Sequence, residues 1–84
     1  MSPAENERAL RLLYAHGTIS RMREFVLAQI DPRMRLVLEG KRGKTAPQCS
    51  MQFDRGTAEK LLPVLQQLLE HEMRLLGVDW EAAQ

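Results

Sequence analysis

The hydrophobic pattern of this chain changes period twice, and no other feature constrains its fold as strongly. Apolar residues recur at helical spacing up to about residue 30, alternate every second residue from Met34 to Asp54, and return to helical spacing after Thr57. A half-buried strand pair between two helical stretches specifies an α+β chain. With 84 residues, the sequence has the length of one small domain, read here as a single α+β domain over residues 1–84.

The first helix is well signalled. Ser2 is placed to cap it, Pro3 suits the first helical position, and Glu5 lies three residues beyond the cap, the spacing of a capping box. Ala9, Leu10, Leu13 and Tyr14 recur at helical spacing, and His16 followed by Gly17 reads as a basic last turn and a glycine stop. The expectation is a helix over about residues 3 to 15.

Residues 18 to 30 satisfy two templates. As a helix, Ile19, Met22, Val26 and Ile30 share one face, with Thr18 or Ser20 as cap. As a strand, Met22, Val26, Ala28 and Ile30 share a face that Glu24 interrupts, while Arg21 and Arg23 spoil the other. A second helix is the favoured reading and a strand the alternative. Asp31 and Pro32 end the segment in either case, because a residue preceding proline is pushed out of the α region.

Two strands follow. Met34, Leu36 and Leu38 point to one side, and Arg35, Val37 and Glu39 to the other; later, Cys49, Met51 and Phe53 alternate with Ser50, Gln52 and Asp54. Gly40 to Pro47 between them contains two glycines and three cations and nothing that favours burial, so it reads as the exposed loop of an antiparallel hairpin. Cys49, on the apolar side, is expected to be a small inert core residue.

A long amphipathic C-terminal helix is predicted from a Thr57 cap to about Leu76, closed by Gly77, with Val78 and Trp80 folding back on its last turn. Its leucines span about half the helix circumference, wider than the roughly 100° stripe needed to cover a two-stranded sheet. The surplus predicts a surface for self-association or a partner protein, formed by Leu61, Leu65, Leu68, Glu72 and Leu75. Glu72 interrupts that surface: the favoured reading is that the helix extends past the core there and Glu72 reaches water, and the alternative is a cation, for which Arg8, Arg11 and Arg23 are the candidates.

Chemistry is sparsely represented. One cysteine and two histidines form no disulfide and no metal set with ligand spacing, and no phosphate loop or nucleophile–base motif is present. The expectation is a non-enzymatic protein without cofactor or metal. The sequence shows neither a leader nor an apolar run long enough to span a membrane, so a cytoplasmic location is expected.

Charge supplies the functional candidate. The chain is nearly neutral at +1, yet residues 33 to 44 hold Arg33, Arg35, Lys41, Arg42 and Lys44 against Glu39 alone. Five cations on a strand and loop predict salt-sensitive contact with nucleic-acid phosphates, which is the first functional expectation. The alternative is a protein-binding adaptor or inhibitor, acting through the hairpin tip and the leucine-rich helix, and in either case a homodimer is expected. Over about residues 33 to 70, the order of strand, basic loop, strand and helix is similar to part of a transcriptional-coactivator type of single-stranded DNA-binding fold. The likeness is architectural: that fold has four strands and uses stacking aromatics where this sequence has none.

Overall fold

The computed structural model describes residues 2–81. Helix α1 covers Pro3–Ala28, strands β1 (Arg35–Gly40) and β2 (Cys49–Asp54) form an antiparallel hairpin, and helix α2 covers Arg55–Leu75. The described residues are thus α+β, with two helices and one two-stranded sheet.

The N-terminal region departs from the expectation of two elements. Residues 3–28 form one unbroken helix with Gly17 in its interior. Gly17 does not take the left-handed conformation of a helix stop; the positive-φ glycines are Gly43 and Gly77. Next to it, the Thr18 and Ser20 hydroxyls donate to the carbonyls of Tyr14 and His16, at 2.9 and 3.1 Å, instead of capping a new helix. His16, expected as a basic last-turn residue, lies inside the helix, is buried and faces Glu70 of α2, with Nε2 3.4 Å from Oε1. Trp80 lies 5.9 Å from its ring, and the Arg74 guanidinium sits 5.2 Å over the Trp80 ring. Packing against α2 on both sides of Gly17 therefore outweighs the local stop signal, whose cost is about 1 kcal/mol.

The ends of the helices follow their signals more closely. Ser2 accepts from the Glu5 N–H at 3.2 Å and donates to the Glu5 carboxylate at 3.1 Å. The cap of α2 is Asp54 and not Thr57: its carboxylate accepts from the Thr57 N–H at 2.8 Å, so the helix begins directly where β2 ends. That bond, made to the charged form, holds the Asp54 carboxyl below its ordinary range. At the other end, Gly77 adopts φ +72°, its N–H bonds to the Arg74 carbonyl at 3.0 Å, and the Val78 N–H bonds to the Met73 carbonyl at 2.9 Å. These two bonds form a Schellman close, which turns Val78 and Trp80 back as expected.

The core is small. Val26, Ala58 and Leu62 form its buried centre, with Ile19, Met22, Met34, Leu36 and Leu65 packed around it, and Ala9 and Met73 are buried further along. Arg55 ties the layers together by donating from Nε to the Val26 carbonyl at 3.1 Å, which satisfies an acceptor at the end of α1. The two helices pack together along their length, and the hairpin rests against α2.

Candidate functional site

The hairpin register sets what each face presents. Leu36 pairs with Phe53, Leu38 with Met51 and Gly40 with Cys49 on the inner face, while Arg35 pairs with Asp54, Val37 with Gln52 and Glu39 with Ser50 on the outer face. Opposite Cys49, a Cβ on residue 40 would lie 2.5 Å from the Cys49 Sγ, so any larger residue there displaces the thiol. Apart from Val37, the outer face is polar, and it carries one cation, Arg35, against the carboxylates Asp54 and Glu39.

Eight residues close the hairpin. Gly43 takes φ +61°, the Thr45 N–H and hydroxyl both donate to the Arg42 carbonyl, at 3.3 and 2.6 Å, and the Gln48 N–H bonds to the Gly40 carbonyl at 2.8 Å. The turn is therefore held by its own backbone, and the Lys41, Arg42 and Lys44 side chains are exposed. Among the described residues, none of these three makes an ion pair or a side-chain hydrogen bond.

Arg33 and Arg35 do not join them. Arg33 lies before β1, where its guanidinium grips both Asp31 oxygens at 3.2 Å and its N–H donates to Oδ1 at 2.9 Å, which holds the Asp31 carboxyl below its ordinary range. Arg35 folds its Nη1 onto the Pro32 and Met34 carbonyls, at 3.0 and 2.8 Å. Strand β1, Arg35–Gly40, separates the two groups by about 17 Å, at about 3.3 Å per residue. The five cations that are near in sequence thus separate into three free ones at the tip and two engaged at the base.

The second predicted surface, on α2, is brought together. Leu61, Leu65, Leu68, Glu72 and Leu75 run along the α2 flank on the hairpin side, with Leu68 and Leu75 exposed. Glu72 meets Arg8 of α1, Nη2 to Oε2 at 2.6 Å, so the charge within the leucine stripe is answered by one of the cations named for it. Beside this stripe, a groove of about 320 Å³ is lined by Ile19 and Met22 of α1, Leu36, Leu38 and Phe53 of the hairpin, and Leu61 and Leu65 of α2, among others.

Cys49 is exposed, contrary to its expected burial. It lies on the apolar face, but the hairpin extends past the helices, so Leu38, Met51 and Cys49 have nothing above them; Leu38 and Met51 are 58% and 56% exposed. Sequence reasoning also missed the His16–Glu70 contact. Helical spacing from Ala9 and Val26 places residue 16 on the inward face, a signal that the local helix-stop pattern obscured. No group of three or more His, Cys, Asp or Glu among the described residues is placed to hold a metal ion, and no described helix is long and apolar enough to cross a membrane.

No protein-family model, curated protein or solved structure matches the chain.

Proposed function

We propose that the protein is a non-enzymatic binding module that contacts nucleic-acid phosphates through the hairpin tip. The observation that carries this reading is the set of three unpaired cations, Lys41, Arg42 and Lys44, on a turn held by its own backbone bonds. The two arginines at the base, each already bonded within its own segment, contribute less than their number suggests. Cations without a carboxylate partner keep their full charge for a polyanion, and each phosphate they neutralise releases counterions. No aromatic lies at the tip to stack on bases, so the contact is to the backbone and its sequence preference is weak.

The test is a titration of labelled single-stranded DNA, duplex DNA and RNA at about 50 and 200 mM salt, with the wild type and the triple variant Lys41→Ala, Arg42→Ala, Lys44→Ala. Binding is expected to weaken steeply with salt, and the triple variant to lose about 0.7 to 0.9 units of log–log slope for each phosphate contact removed. Absence of binding at low salt, or an unchanged slope in the variant, rejects the reading. One observation favours a second reading, a protein partner held by the tip and α2: Leu68 and Leu75 stand exposed along the helix that leads away from the hairpin. In that case, loss of the tip cations slows association without abolishing it, while Leu68→Asp abolishes it.

A further inference from the structure

The chain leaves more surface in water than its mass requires. Its accessible surface is 6537 Å², whereas a compact chain of this mass exposes about 5,100 Å², so the excess is about 1,400 Å². Its radius of gyration is 14.7 Å and its extents are 44 × 31 × 16 Å, against a radius of about 12 Å for a compact domain of this length. The molecule is a thin slab. A standard interface removes about 800 Å² from each partner, so one face of this slab provides enough area for a stable association.

One face stands out. On the hairpin side, the groove between the helices and the hairpin is continuous with the exposed inner face of the projecting hairpin end, because Leu38 borders both. The leucine stripe of α2 flanks it, and its one carboxylate, Glu72, is neutralised by Arg8. The opposite flank of the helix pair is mixed: Arg23, bonded to Gln66 at 2.6 Å, Glu24 and Glu59 lie there beside the exposed Leu27.

We infer that this face binds a second copy of the chain about a two-fold axis, with the projecting hairpin end of each copy seated on the groove and α2 stripe of the other. A two-fold interface must present a projection and its receptor on the same patch, and this face has both: Leu38 and Met51 project, and Ile19, Met22, Leu61 and Leu65 line the recess. The one carboxylate of the α2 stripe is already paired within the chain, so the stripe itself is matched by an apolar partner surface. The copy also provides what a chain this small lacks, since its single cysteine forms no internal disulfide and its own core buries few large side chains. The inference does not rest on the nucleic-acid reading.

The test is light scattering and sedimentation across a concentration series on protein cleared of nucleic acid, with circular dichroism as a control for folding. The wild type is expected at about twice 9.6 kDa, and Met51→Lys and Leu68→Lys at the monomer mass with helical signal retained, since both side chains are already more than half exposed in the single chain. Leu10→Lys, on the far side of α1 and 67% exposed, leaves the dimer intact. Alkylation of Cys49, which lies beside Leu38 and Met51 on the projecting hairpin end, gives a readout without any substitution: its rate falls as concentration drives association. A wild type that stays monomeric throughout overturns the inference. So does a dimer that survives both lysine substitutions, or one whose assembly leaves the Cys49 rate unchanged.

Discussion

The two ends of the hairpin are built from the same alternation and meet different fates. At the base, Leu36 and Phe53 lie half-buried over α2; two residues further on, Leu38 and Met51 occupy the equivalent inner positions and are mostly in water. The difference is one of reach. Asp54 ends β2 and caps α2, so the strand and the helix share a fixed junction, and the hairpin leaves the helical layer within a few residues of it. Alternation therefore reports which side of a strand is apolar, but not whether anything lies above that side. The free end carries two kinds of surface, cations at the turn and apolar side chains beneath it, and these support the two proposals made above.

Substitutions along this gradient test the comparison. Leu62→Ala, under the anchored end, is expected to have the largest effect, a loss of about 2 to 5 kcal/mol in denaturant unfolding, because Leu62 is almost completely buried at the core centre. Phe53→Ala should cost about 1 to 2 kcal/mol, and Met51→Ala less than about 0.5 kcal/mol when both are measured at dilutions where the chain is monomeric. Equal costs for the two would show that the free end is covered within a single chain.

The junction is the next point to test. Asp54→Ala removes the cap of α2 and should lower the unfolding midpoint at neutral pH by less than Phe53→Ala does. Because the folded carboxyl is held below its ordinary range, the cap contributes fully above about pH 4, the unfolded value, and its contribution disappears as pH falls through the lower, folded value. The wild type and Asp54→Ala should therefore converge in acid; a difference that persists there would assign the effect to something other than the charged cap.

One further effect has the opposite sign. Gly17→Ala should stabilise the chain by about 0.5 to 1 kcal/mol, since Gly17 is interior to α1 and an added Cβ meets only the Arg21 guanidinium, at an ordinary 3.7 Å. Destabilisation by this change would show that residues 3–28 do not act as one helix.

Much of the fold was legible because its signals are local. Ser2 and Gly77 mark helix ends through their own hydrogen bonds and backbone angles, and the alternation of residues 34–54 gives both strands and their loop. The Arg8–Glu72 pair was legible only as the less favoured of two readings, since a carboxylate among leucines either reaches water or meets a cation.

Other features were decided by tertiary contact. The stop signal at His16 and Gly17 is worth about 1 kcal/mol, and continuous packing of α1 on α2, with His16 against Glu70 and Trp80, exceeds it. The dispersal of the five cations follows from Asp31 and two backbone carbonyls capturing Arg33 and Arg35, a choice among partners that composition does not rank. The sequence by itself determined which elements form and which side of each is apolar, because those follow from periodicity and caps. Only the tertiary structure decided how far α1 continues, which cations remain free and which apolar positions stay uncovered, because burial depends on where neighbouring elements end.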